Sequence, residues 1–248
     1  MLATNRSTPG CALFNSSPGG AIFVFSVMNL NELEEIFGEM ADPRALASWQ
    51  RLNLQSRDRF LGTGMSKLKD RAKKITKDHS LAMECWRSDL YDAKMMACFI
   101  DEPKKITPEE ADEVIQKIDV WGLGDQYVKN QVIKTPFKIA KAEQWANDKR
   151  EFVRRAGYQL IQILANEDET LPDSWFESYL RHMENLQQEA NFVKEMMAYA
   201  LMSIGSRNPE LHSKALLIAT NAGKIDVDYG DTSCQSPNPL EYLKAKTF

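Results

Sequence analysis

Metal-ligand spacings, strand-forming runs and membrane-length apolar stretches are what this chain does not contain. Its 248 residues hold four cysteines, Cys11, Cys85, Cys98 and Cys234, with no CxxC among them, and three histidines, His79, His182 and His212, with no HxxxH pair. No zinc site and no disulfide framework is therefore expected, and the cysteine usage suits a reducing compartment. The apolar run Ala21 to Met28 falls far below the ~20 residues of a membrane span. Val- and Ile-rich runs of a buried parallel sheet are missing. Ala, Leu, Met, Glu and Lys dominate instead, which favours helix. The net charge of -4 and pI of about 5.6 do not advertise a nucleic-acid binder, but a total says nothing about distribution.

The distribution is uneven. Lys67, Lys69, Arg71, Lys73, Lys74 and Lys77 are opposed locally only by Asp70 and Asp78. A second basic run extends from Lys129 to Arg155, while acids concentrate between Asp101 and Asp119. One basic face and one acidic face fit this pattern, as do ordinary solvated helix faces.

Punctuation divides the chain into helices. Residues 1–27 are rich in loop formers and read as a disordered or non-native extension, with Met28 as the natural start. A helix is expected from Asn31 to Met40 and a basic one from Ser66 to Lys77. Others run from His79 to Trp86 and from Tyr91 to Ile100. Thr107-Pro108-Glu109-Glu110 is a capping box that opens a helix ending near Ile118. Further helices cover Lys138 to Ala146, Glu151 to Ala165, Pro172 to Leu186, Ala190 to Ile204 and Glu210 to Ala222. Gly223 ends the last of these. Residues 28–222 thus form one helical domain, and 223–248 form a capping tail with a short helix, Leu240 to Lys246. Phe152-Val153-Arg154 recurs as Phe192-Val193-Lys194, an offset of 40 residues. That period points to an all-α solenoid of HEAT-like helix pairs whose second helices line a concave face.

The stretch Val120-Trp121-Gly122-Leu123-Gly124-Asp125-Gln126 stands at the centre, running on into Val132. Trp121 and Asp125 are four residues apart, so a helix puts them on one face. An indole beside a carboxylate suits a cationic ring or a sugar that becomes cationic. A core Trp with a helix-end Asp is the alternative. Gly122 and Gly124 each cost about 1 kcal/mol in a helix interior, which suggests a close backbone approach to a neighbour or a ligand there.

These residues resemble a known family. The central stretch, then Glu151-Phe152-Val153-Arg154-Arg155-Ala156-Gly157, then Phe192-Val193-Lys194 closing with Arg207-Asn208-Pro209, is similar to the DNA alkylation repair proteins of the AlkD-like kind. The likeness covers Met28 to Ala222, and the tail from Val227 to Cys234 resembles that of one branch of the family. The resemblance implies a HEAT-like superhelix wrapping duplex DNA, and a glycosylase that releases N3- and N7-alkylated purines without metal or cofactor. It implies catalytic roles for Asp125 and Trp121 and a phosphate contact for Arg155, with Tyr199 where active members have a second Trp. Arg154, Lys194, Lys67 and Lys69 are the further DNA-binding candidates. Double-stranded DNA with alkylated bases is the expected partner of a monomeric, cytoplasmic, nucleoid-associated protein. A helical binder of duplex or branched DNA without activity, or a protein-binding solenoid, are the rival readings.

Overall fold

A computed structural model describes residues 28–51 and 56–248. The proposed extension, residues 1–27, lies outside the described residues. Among the described residues thirteen α-helices follow one another: α1 (Leu30–Met40), α2 (Pro43–Arg51), α3 (Met65–Ala72), α4 (His79–Arg87), α5 (Tyr91–Ile100), α6 (Pro108–Ile115), α7 (Trp121–Asn130), α8 (Lys138–Ala146), α9 (Glu151–Glu167), α10 (Asp173–Met183), α11 (Asn191–Ile204), α12 (Pro209–Ala222) and α13 (Pro239–Ala245). Among the described residues the only extended pairings are two isolated bridges, Ala41 with Thr63 and Arg59 with Leu90.

Local chemistry explains where the helices start. Thr107 and Glu110 close the expected capping box at α6, and Asn29 and Glu32 close another at α1. Asp78, Asn208 and Asn238 accept from the third backbone amide of α4, α12 and α13. Each cap satisfies a donor that the first turn leaves unpaired. Gly223 ends α12 at φ +65°, a conformation that glycine adopts without strain. Four expected helices are shorter than their patterns, among them α6, which stops at Ile115 and not near Ile118. The basic helix stops at Ala72 rather than Lys77, and α7 stops at Asn130 before a separate 3₁₀ turn, Val132–Lys134. The segment after α10 likewise ends in a 3₁₀ turn, Leu186–Gln188.

The helices stack as a HEAT-like superhelical solenoid. Contacts run in order through α3, α5, α7, α9 and α11, which lie side by side as an inner row. Helices α4 and α8 pack behind α5 and α9. The core between the layers is closed by fully buried Trp86, Trp145, Tyr127, Tyr158 and Phe176. Helix α13 of the tail packs against α11 and α12, burying Leu243 completely.

Within the chain, the close backbone approach lies at Gly157 and not at Gly122 or Gly124. A Cβ on Gly122 would meet only the Tyr91 hydroxyl at 3.9 Å, and one on Gly124 only an Ile118 methyl at 3.5 Å. At Gly157 it would sit 2.2 Å from the Ala146 backbone nitrogen. There α9 rests directly on the C-terminal end of α8. Gly157→Ala should therefore destabilise the fold by about 3 kcal/mol through overpacking. Gly124→Ala should be neutral or stabilising by up to about 1 kcal/mol from helix propensity. Urea denaturation of the two variants checks this, and equal effects would contradict it.

Candidate nucleic-acid interface and carboxylate row

Helix α7 opens at Trp121, and one turn later carries Asp125 on the same face. Neither side chain is sealed in the core: Trp121 is half-buried, and the Asp125 side chain is 24% exposed. The Trp121 ring lies 6.2 Å from Phe192 on α11. Its indole nitrogen is buried and has no described partner.

Asp125 is already engaged. Its two oxygens accept from Arg155 Nε at 3.1 Å and Nη2 at 3.0 Å, a bidentate pair. Arg155 Nη1 donates to the Phe192 carbonyl at 2.7 Å and to Glu195 Oε2 at 2.5 Å. The guanidinium also lies 5.9 Å from both the Trp121 and Phe192 ring centroids. Glu195 is completed by the Tyr229 hydroxyl, which donates to its other oxygen. A row of charge thus crosses three helices and ends on the tail: Asp125, Arg155, Glu195, Tyr229.

This arrangement adds partners that the sequence reading did not name. Arg155 is 3% exposed and faces two carboxylates, so in this state it is an ion-pair hub. Asp125 is a paired acid beside the indole of Trp121. Burial raises the Asp125 carboxyl above its ordinary range, and Arg155 only partly offsets this, with Glu195 adding to the rise. For Arg155 burial works downward, but Asp125 and Glu195 outweigh it and hold the guanidinium charged.

The other candidates are dispersed. Tyr199 stands half-buried one turn beyond Glu195, close enough to feel Glu195, Arg155 and Asp125. Arg154 points away to Glu189 at 2.6 Å. Lys194 is half-buried near the start of α11. Lys67 donates to the Met40 carbonyl at 3.0 Å, away from the row. Lys69 lies over the Phe99 ring at 5.7 Å and belongs to a different feature, a basic furrow.

That furrow follows the C-terminal ends of the inner helices. It begins in a depression of about 370 Å³ where Lys69, Lys73, Lys77 and Lys134 surround Phe99. It continues through one of about 530 Å³ with Lys129, Lys134, Lys138, Gln159 and Glu167, and ends beside Glu169, Arg207 and Lys246. Lys129 is one turn beyond Asp125, and Gln159 donates to the Asp125 carbonyl at 3.3 Å. The furrow therefore adjoins the carboxylate row.

Glu195 escaped the sequence reading although its signal was present. The 40-residue offset that pairs Phe152 with Phe192 also pairs Arg155 with Glu195. Equivalent positions on neighbouring inner helices stand side by side, so opposite charges there make an ion pair.

A family model described as "DNA alkylation repair enzyme" matches residues 33–224. The chain belongs to that family. It is 27% identical over 176 residues to the uncharacterised protein Lin0241 of Listeria innocua, a match covering 70% of this chain and 76% of the relative. Lmo0209 of Listeria monocytogenes, also uncharacterised, matches with the same identity and coverage. A solved structure described as "a new family of proteins related to the HEAT-like repeat DNA glycosylases with affinity for branched DNA structures" superposes with a TM-score of 0.76. It shares 20% identity and covers 88% of this chain and 93% of that one. In this family member the matched region ends at Lys224, before Tyr229.

The hub has a direct consequence for stability. Arg155→Ala leaves Asp125 and Glu195 as buried like charges without a counterion, which should cost about 3–5 kcal/mol. The double variant Asp125→Asn with Glu195→Gln in the Arg155→Ala background should recover part of that loss. Denaturant midpoints measure both, and a loss under 1 kcal/mol for Arg155→Ala would remove the hub.

Proposed function

We propose that the protein is a DNA glycosylase that hydrolyses the N-glycosidic bond of cationic N3- and N7-alkylated purines in duplex DNA. The observation that carries this reading is Trp121 and Asp125 on one turn of α7, partly open and bordered by a lysine-lined furrow. Five inner helices spaced roughly 8–10 Å apart span about 32–40 Å, close to the roughly 34 Å of one DNA turn. Lysines along the furrow would neutralise phosphates, and Glu167 and Glu169 line its far part.

The chemistry asks little of the protein. An alkylated purine already carries positive charge, so its bond to C1′ breaks with the electron pair passing to the base, which leaves neutral. Positive charge then develops on the sugar. Ionised Asp125 stabilises that cation and orients the water that adds at C1′, and the water's proton passes to Asp125 or solvent. The Trp121 ring supports the same cation by its face. Arg155 holds Asp125 in place and keeps it ionised against the burial that favours its neutral form. Because burial raises Asp125, the rate should increase with pH through a midpoint above the ordinary carboxylate value of about 4.

A second reading has its own support. Both Asp125 oxygens are occupied by Arg155, and the superposing structure is described as having affinity for branched DNA. On that reading the face binds DNA and leaves the bond intact.

Incubation with duplex carrying N7-methylguanine, followed by detection of free base, separates the two. The glycosylase reading expects release that Asp125→Asn slows by at least about 100-fold with binding retained. No release, with a four-way junction bound more tightly than linear duplex, supports the second reading. Either way, neutralising about four phosphates should weaken binding roughly 100-fold between 50 and 200 mM salt. No DNA binding at low salt would overturn both.

A further inference from the structure

The carboxylate row does not end on the solenoid. The tail leaves α12 at Gly223 and is tied back along the start of α11. Gln187 donates to the Ala222 and Lys224 carbonyls at 2.8 and 2.7 Å. The Asn191 amide brackets Asp228, donating to its carbonyl and accepting from its backbone nitrogen, both at 2.8 Å. Ile225 and Val227 are buried beneath this segment. Beyond it, the Asp231 backbone nitrogen donates to the Arg51 carbonyl at 2.9 Å, joining the tail to the end of α2. Between these anchors Tyr229 is turned inward. Its hydroxyl donates to Glu195, and its ring lies 6.5 Å from Phe192.

Anchors on both sides of one inward-facing tyrosine exceed what a capping loop requires. The groups in the row carry opposing charges: two carboxylates share one guanidinium, leaving one net negative charge in largely buried surroundings. How Arg155 is divided between Asp125 and Glu195 then sets how strongly Asp125 is held. We propose that Tyr229 is a positioning residue of the site, which acts through Glu195 and Arg155 to keep the guanidinium on Asp125, so that the tail is part of the site.

The physical sequence is short. Donation from the Tyr229 hydroxyl disperses the charge on Glu195. Glu195 then competes less for Arg155, and Arg155 remains bidentate on Asp125. Without the hydroxyl, Glu195 presents a fuller charge, draws Arg155 toward itself and repels Asp125 more strongly. Both effects favour the protonated form of Asp125. Removing the Glu195 charge instead leaves Arg155 to Asp125 alone and removes the repulsion, which favours the ionised form. The titratable groups facing Asp125 are Tyr91 from α5, Arg155 from α9, Glu195 and Tyr199 from α11, and beyond Glu195 the tail's Tyr229. The functional meaning rests on the glycosylase reading, in which Asp125 must be ionised. The ionic coupling itself does not.

The test is made on the full chain without DNA, so its outcome is separate from that of base release. Carboxyl carbons are isotope-labelled at aspartate, the Asp125 signal is assigned by its loss in Asp125→Asn, and its titration midpoint is followed by NMR. Tyr229→Phe keeps the ring and should raise the midpoint by about half to one pH unit. Asn191→Ala, which releases the tail and touches no charge, should raise it likewise. Glu195→Gln should lower it. Opposite directions for Tyr229→Phe and Glu195→Gln support the coupling, since a merely structural role would not reverse the sign. An unmoved midpoint in both Tyr229→Phe and Asn191→Ala would overturn it.

Discussion

One guanidinium shared by two acids governs the arrangement of this protein's inner face. Arg155 is almost wholly buried, and a buried charge persists only when paired and hydrogen-bonded. Asp125 from α7 and Glu195 from α11 supply that pairing from either side, and the Phe192 carbonyl takes a further donor. The pairing fixes how three inner helices stand relative to one another. Gly157, two residues beyond Arg155, lets α9 rest on α8 from behind. A single stretch of α9 thereby locks the inner row to the outer layer and holds the acid of the site.

The same constraint shapes the chemistry. An acid opposed by a fixed arginine is preorganised, so little rearrangement is needed when charge develops nearby. Yet a carboxylate with both oxygens engaged has its charge partly spent. On the proposed reading, the balance between these effects separates base release from binding alone, and Glu195 and Tyr229 would adjust it. The furrow of Lys69, Lys73, Lys77, Lys129, Lys134 and Lys138 solves a different problem. It concentrates positive charge on one side of a chain whose total is negative.

Much of the fold was legible because helix signals are local. Capping residues, prolines at first turns and Gly223 mark ends that the chain itself decides. The i, i+4 relation of Trp121 and Asp125 was legible for the same reason. Partners between helices were less so. The sequence gives Arg155 no protein partner until α11 is placed beside it, and only the 40-residue repeat hints that Glu195 will be its neighbour. Gly122 and Gly124 looked like sites of close approach, because a helical glycine carries a cost without saying where its benefit lies. The benefit of that kind falls at Gly157, where tertiary packing decides. The tail's path to Arg51 and Glu195 depends on contacts across more than thirty residues, which no local pattern encodes.

The most direct measurement of where nucleic acid sits is amide hydrogen exchange with and without a bound DNA duplex. Protection confined to the inner segments, 67–77, 94–101, 121–134, 155–166 and 195–206, is the result expected if this face is the interface. Protection on α4, α8 and α10 with the inner row unchanged would place the DNA on the opposite surface and contradict it.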